Sequence, residues 1–227
     1  MVWGPGERQT LGVDADAVRA QQRDVVRRGY DAVSMAYRSD DGQAAVSSAE
    51  DVRQYAGWVA DLARRLPRAA WVVDLGCGAG LPATRALAEQ ELRVLGVDFS
   101  AVQLRRARRL VPAASFVLAD MAALHLHPDS VDAVVSFYAL IHVPRVDQRA
   151  LLPRIRAWLR PGGYFLAIVG AQDWTGVEDY LGADMFWDHA DTQTYLRWLH
   201  AAGLAPFWHR YVREGEAGHT LILARAA

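Results

Sequence analysis

The 227-residue chain contains no lysine and no asparagine, and its only cysteine is Cys77. Without lysine there is no ammonium nucleophile and no Schiff base to a carbonyl substrate. With one thiol no intramolecular disulfide can form. All 25 basic residues are arginine, set against 26 acids for a formal net charge of -1, so the electrostatic footprint of a nucleic-acid binder is missing. Apolar stretches such as 133–143 stop well short of the ~18 residues that a membrane-spanning helix needs. The opening Met1-Val2-Trp3-Gly4-Pro5-Gly6 lacks the basic start and apolar run of a secretory leader. These absences point to a cytoplasmic protein with neither a membrane nor a nucleic acid as partner.

What is present is a composition able to fold: 52% hydrophobic and 22% charged residues, enough apolar side chain for a sizeable core. The length fits one α/β domain with at most a small insertion. In 14–38, Val18, Val25, Val26, Tyr30, Val33 and Tyr37 recur at near-helical spacing among charges. A second helix is expected over 48–66, with Ser47 or Ser48 followed by Glu50 and Asp51 as start signals and Pro67 as its end. From there short apolar runs (71–75, 93–97, 115–118, 131–137 and 164–169) alternate with helical stretches near 82–90, 100–110 and 147–159. Such alternation is the signature of a parallel sheet covered on both faces. After a helix near 192–202, the runs 206–213 and 219–224 are joined by too few residues for a parallel crossover, which predicts an antiparallel hairpin at the sheet edge.

The first strand runs into Asp74-Leu75-Gly76-Cys77-Gly78-Ala79-Gly80, then Leu81-Pro82 and a helix. Glycines at alternate positions let the backbone turn sharply and approach a ligand closely, as a nucleotide-cradling loop requires. A dinucleotide fingerprint would place its third glycine at 81, where the chain has leucine. The second strand ends at Asp98, 22 positions past Gly76 and suited to ribose hydroxyls, and the third at Asp120, able to accept from an adenine amino group. Three adjacent strands thus bring ligand-type residues to one edge.

In these motifs, together with Gly96-Val97-Asp98-Phe99-Ser100, Ala119-Asp120-Met121, 136–143 and Leu159-Arg160-Pro161-Gly162-Gly163, the chain from Tyr30 onward resembles the class I S-adenosylmethionine-dependent methyltransferases of small-molecule type. The resemblance implies an α/β fold, Rossmann-like and doubly wound, with a mostly parallel seven-stranded sheet, a C-terminal antiparallel hairpin and an N-terminal helical cap. It implies a cap over 1–66 and a cofactor-binding core over 67–227, with a substrate-binding insertion at about 170–190. The cofactor would be S-adenosyl-L-methionine, its product S-adenosyl-L-homocysteine. Asp74 and the backbone of Gly76, Cys77 and Gly78 would hold the methionine end, and Asp98 the ribose. Phe99 or Gln103 would pack the adenine, Asp120 and Met121 would read its edge, the Phe137 carbonyl would accept from the amino group, and Tyr30 and Tyr37 would close from the cap.

His142 is the catalytic candidate, as general base or as a histidine that only shapes the pocket. Expected substrate contacts are Tyr138, His142, Trp174, Tyr180, Met185 and Trp187. The aromatic-rich segment 170–190 reads either as a lid or pocket wall or as an amphipathic helix on the core. Cys77 reads as a small residue chosen to fit, His125 and His127 as loop residues with no metal-ligand set around them, and Arg105, Arg106, Arg108 and Arg109 as a solvated helix face. His189 could face the substrate.

The function expected is methyl transfer by direct displacement to a small apolar or aromatic acceptor, in the tailoring of a secondary metabolite, by a monomer or homodimer. Methylation of RNA or protein is the alternative; a nicotinamide-dependent oxidoreductase and a non-catalytic cofactor-binding module rank below it. The acceptor atom is not legible.

Overall fold

The computed structural model describes residues 14–40, 49–215 and 217–227. Helix α1 (Ala15–Tyr37) starts at Asp14, whose carboxylate accepts from the backbone N–H groups of Asp16 and Ala17. Helix α2 (Ala49–Ala63) follows; the expected start signals at 47–48 lie outside the described residues. Then come β1 (Trp71–Leu75), α3 (Ala83–Glu89), β2 (Arg93–Asp98), α4 (Ala101–Leu110), β3 (Ser115–Leu118), β4 (Val131–Ser136), a short 3-10 turn (Leu140–His142), α5 (Arg145–Trp158) and β5 (Leu159–Gly170). The chain continues through β6 (Trp174–Tyr180), β7 (Ala183–His189), α6 (Thr192–Ala201), β8 (Leu204–Glu214) and β9 (Ala217–Ala226).

Seven strands form one sheet in the order β3-β2-β1-β4-β5-β9-β8, parallel except where β9 pairs antiparallel with β5 and β8. The sequence expectation of a doubly wound sheet ending in an edge hairpin therefore holds. Its core lies on both faces. Val73, Leu75, Val134 and Phe165 pack with α5 and α6 on one side, and Val72, Val94, Val135 and Leu166 with α2 and α3 on the other. Because strand order reverses between β1 and β4, a crevice opens at their carboxyl ends. No helix among the described residues is long and apolar enough to cross a membrane.

Two expectations are corrected. Segment 170–190 contains neither a helix nor a long loop: β6 and β7 form a separate antiparallel ribbon. Its turn places Leu181 and Gly182 both at positive φ (57° and 86°), the conformation of a tight hairpin turn, but leucine stands where asparagine or aspartate would have signalled it. The ribbon holds α1 closely: a Cβ on Gly29 would lie 2.7 Å from the Asp184 carbonyl and 2.9 Å from the Met185 methyl.

The second correction concerns Arg106, which is not on a solvated face. It is 7% exposed and donates to the Ser34 carbonyl (2.6 Å) and hydroxyl (2.8 Å), to the Arg38 carbonyl and to Asp40 (3.0 Å). One guanidinium thus ties the end of α1 to α4. Replacing it by methionine removes all of these bonds, several of them buried, so Arg106→Met is expected to lower the unfolding free energy by about 1–3 kcal/mol and to make α1 the first site of limited proteolysis. Urea titration and mapping of the first cleavage check this.

Candidate active site

The crevice at the carboxyl ends of β1, β2 and β4 encloses about 720 Å³, solvent at its mouth included. Glycines shape its floor. Gly76 has φ +74°, and a Cβ there would come within 2.1 Å of the Ala139 Cβ; Gly78 has φ +54°, and its missing Cβ faces open space. The backbone of this loop is therefore bare toward a ligand. Asp98 anchors the loop, accepting from the Gly78 N–H (2.9 Å) and the Ser100 N–H (2.8 Å). Asp74 lies deeper and accepts from the Thr84 hydroxyl at 2.6 Å. Burial pushes both carboxyls up, Asp74 to about 7 and Asp98 to about 6. Burial also pushes the Cys77 thiol well up, which makes it a fitted small residue and a poor nucleophile.

Cap residues close the crevice from above. Ser34 donates to the Gln103 side chain at 3.0 Å, Ser100 donates to Asp31 at 2.5 Å, and Arg23 pairs with Asp120 at 3.3 Å. Tyr30 meets His142: its hydroxyl is 2.8 Å from Nε2, while Nδ1 is 2.8 Å from the Phe186 carbonyl. A carbonyl only accepts, so Nδ1 carries the proton, Nε2 is bare, and the Tyr30 hydroxyl donates to it. Burial, His142 being 5% exposed, lowers its pKa to about 4 and keeps the ring neutral. Burial likewise pushes the Tyr30 phenol well up.

A second cavity of about 1,090 Å³, again with open solvent included, adjoins the first and shares Tyr30, Tyr37, Tyr138 and His142 with it. Five rings close around this junction. Centroids are 5.5 Å apart for Tyr30 and Tyr37, 6.1 Å for Tyr37 and Tyr180, 5.7 Å for Tyr180 and Trp187, 4.2 Å for Trp187 and His142, and 5.3 Å for His142 and Tyr30. On the far wall Tyr138 donates to Glu214 at 2.5 Å, and His219 lies 3.2 Å from the other Glu214 oxygen.

Of the residues singled out in the sequence, Tyr30, Tyr37, Gly76, Gly78, Asp98, Phe99, Gln103, Asp120, Met121 and Phe137 line the crevice; Asp74 and Cys77 line the recess beside its glycine loop. Tyr138, His142, Tyr180 and Trp187 line the second cavity. Trp174 and Met185 line neither. Trp174 is 46% exposed at the start of β6, and Met185 is fully buried against Val26 beneath α1. His125 and His127 are exposed in a loop, and His189 hydrogen-bonds to the Gln172 carbonyl at 2.7 Å.

Sequence reading missed Arg23 and Val26, which share a helix face with Tyr30 and Tyr37 by their spacing of three to four, and Arg38, Tyr55, Glu214 and His219. The last two reach the site through the antiparallel register that sets His219 opposite Gly170, which no local pattern announces.

Residues 72–163 match the family model of a methyltransferase domain. The chain is 42% identical over 100 residues to the trans-aconitate 2-methyltransferase of Variovorax paradoxus, covering 43% of this chain and 38% of that protein. It is 30% identical over 141 residues to the 2-methyl-6-phytyl-1,4-hydroquinone methyltransferase of Synechocystis, covering 60% and 42%. The chain thus spans about two fifths of the length of these curated relatives. In fold it resembles the 1,6-didemethyltoxoflavin-N1-methyltransferase of Burkholderia thailandensis, with a TM-score of 0.68 at 23% identity over 100% of this chain and 93% of that one.

The raised carboxyls fix a sign for stability. Asp74 and Asp98 hold protons more tightly folded (about 7 and about 6) than at their ordinary value of 3.8. Their contribution is fully present below about pH 4 and is lost as pH rises to about 7, so stability from these groups falls across that window. Urea unfolding of Asp74→Asn between pH 4.5 and 7.5 is expected to show a shallower decline than the parent protein.

Proposed function

We propose that this protein, whose residues 72–163 match the family model of a methyltransferase domain, is an S-adenosylmethionine-dependent methyltransferase acting on a small molecule. The observation that carries the reading is the shared wall: two adjoining chambers, one floored by glycine backbone and buried carboxyls, have Tyr30, Tyr37, Tyr138 and His142 in common. Bare backbone at Gly78 and carboxylates at Asp74 and Asp98 suit an adenosyl ligand that carries hydroxyls and an amino-acid end. When bound there, S-adenosylmethionine supplies an electrophilic methyl on a positively charged sulfur.

The rest of the work belongs to this chain's side chains. Asp98, fixed by two backbone donors, takes the ribose hydroxyls; Phe99 or Gln103 packs the adenine; Asp120 and the Met121 backbone read its edge. The aromatic collar excludes water, favours a cation by its ring faces and holds the acceptor in line. Such alignment can supply up to about 7–11 kcal/mol. Tyr30 offers its oxygen lone pairs to an acceptor hydroxyl while its own proton points to His142 Nε2. The pair can therefore take an acceptor proton, adding about 10²- to 10⁴-fold. In the described part of the cap, α1 acts as the lid, and the 170–190 ribbon, through Tyr180 and Trp187, as the acceptor wall. Aromatic walls suit an acceptor with an apolar or aromatic body, and the compact build suits the tailoring of a secondary metabolite in the cytoplasm.

Calorimetry with S-adenosylhomocysteine and with NAD tests the cofactor; binding of NAD alone would sink the reading. Methyl-transfer assays on small-molecule pools and on total RNA test the acceptor class. Asp98→Ala is expected to abolish measurable S-adenosylhomocysteine binding. His142→Ala is expected to retain it within about threefold and to lower turnover by about 10²-fold or more; unchanged turnover would leave the ring with pocket shaping alone. Because an ionised Asp98 accepts from the ribose hydroxyls more strongly than a protonated one, affinity should weaken as pH falls through about 6, which titration at pH 5, 6 and 7.5 checks.

A further inference from the structure

Two imidazoles line the second cavity. His142 is sealed at 5% exposure and commits its bare nitrogen to Tyr30. His219 is held differently. It follows Glu214 by five residues across the β8-β9 turn, and both side chains line the same cavity. Its Nδ1 is 3.2 Å from one Glu214 oxygen, while the Tyr138 hydroxyl donates to the other at 2.5 Å. An ionised carboxylate only accepts, so in the neutral ring Nδ1 carries the proton and the lone pair is left on Nε2. The ring packs nearly at right angles on Tyr138 (5.3 Å, 82°), with the His189 ring 6.0 Å away. Arg213, which lines this cavity too, turns its Nε to the Gly215 carbonyl at 3.0 Å.

Tyr138 is fixed in an uncommon conformation. Its φ of 58° lies in the left-handed region, which a bulky side chain disfavours and only a determined setting maintains. From there it lines both chambers and reaches Glu214. Tyr138, Glu214 and His219 thus form a connected row that starts at the cofactor crevice and ends in the second cavity.

Methyl transfer to a protic acceptor has to dispose of a proton. As the acceptor oxygen or nitrogen bonds the methyl carbon, the carbon–sulfur bond breaks and its electron pair stays on sulfur. The positive charge of the sulfonium then leaves with the acceptor's proton, which needs a base able to carry it. His142 is badly placed for that charge: burial lowers its pKa, and a charge on His219 lowers it further.

We propose that His219, oriented by Glu214, is the proton acceptor of the second chamber, its Nε2 taking the proton of a hydroxyl or amino acceptor as the methyl group arrives. The imidazolium so formed lies beside the Glu214 carboxylate, which balances the charge that sulfur has given up. Glu214 is the positioning residue, and the Tyr138 hydroxyl steadies its second oxygen. The inference rests on the methyl-transfer reading for the reaction, and on this geometry for the ligand class, a molecule that offers an O–H or N–H donor to this wall.

NMR of the protein labelled with ¹⁵N-histidine and saturated with S-adenosylhomocysteine reads the ring directly, with His219→Gln assigning its signals. The probes are phenol and anisole, alike in shape but only the first with a proton to donate. The parent is expected to hold His219 as the Nδ1–H tautomer at pH 7.5, and phenol, not anisole, to shift Nε2. Glu214→Ala is expected to lose the tautomer preference and at least half of the phenol shift, while keeping S-adenosylhomocysteine affinity within about twofold, which shows that it is folded. In the small-molecule methyl-transfer assay, His219→Ala is expected to lower turnover by about 10²-fold or more with cofactor affinity unchanged, and added imidazole to restore part of it. An Nε2–H tautomer, equal shifts with both probes, no response to phenol, or undiminished turnover overturns the inference; if the pools give no product, the NMR arm decides it. A parent protein that binds no S-adenosylhomocysteine overturns the methyltransferase reading instead, and the phenol titration without cofactor then decides His219 alone.

Discussion

The seating of α1 on the carboxyl edge of the sheet is the constraint on which the site depends. The sheet alone provides a crevice open to water, with Gly76, Gly78, Asp98 and Asp120 along its edge. Polar contacts made by largely buried groups, Arg106 with Ser34, Ser34 with Gln103 and Tyr30 with His142, add a roof to that crevice. The β6-β7 ribbon grips α1 from the other side, Gly29 meeting Met185 so closely that a methyl group between them would clash. A helix held in this way by directional bonds presents Arg23, Val26, Tyr30 and Tyr37 in fixed register, and that register closes the collar. Hydrophobic burial drives the association; the hydrogen bonds decide its angle, because each buried donor left without its acceptor carries a penalty.

Roofing the crevice changes its electrostatics as much as its shape. Away from water, charged forms lose their hydration, so Asp74 and Asp98 move up and His142 moves down, each toward neutrality. The site thus carries less net charge than its composition suggests. Arg38 is the exception: arginine keeps its charge wherever it is placed, and here it lies over the faces of Tyr37 and Tyr55.

Much of this was legible in the sequence for a physical reason. The strand and helix periods of 71–170 are local, and the glycine loop with Asp98 and Asp120 follows from where parallel strands must end, so the core and the ligand edge could be placed from spacing. What could not be read depended on long-range pairing. The ribbon at 174–189 has residues of mixed burial and a Leu181-Gly182 turn, so neither its period nor its turn chemistry was distinctive. Arg106 sits in a run of four arginines whose pattern says solvated face; only the arrival of α1, 66 or more residues earlier in the chain, turns one of them inward. His219 reaches the second cavity because β9 runs antiparallel beside β5, and Glu214 because the β8-β9 pairing sets the end of β8 next to it.

The tautomer of His142 sets what the collar can do. Because the Phe186 carbonyl claims Nδ1–H, the free lone pair is fixed on Nε2 and can only look toward Tyr30. A ring with a pKa near 4 is a feeble base toward an ordinary amine, whose methylated product would hold its proton far more tightly. Toward an oxygen it is sufficient, since a hydroxyl that has gained a methyl group becomes a strong acid as the new bond forms. Within the methyl-transfer reading proposed above, burial that weakens the base would narrow the acceptors it could serve.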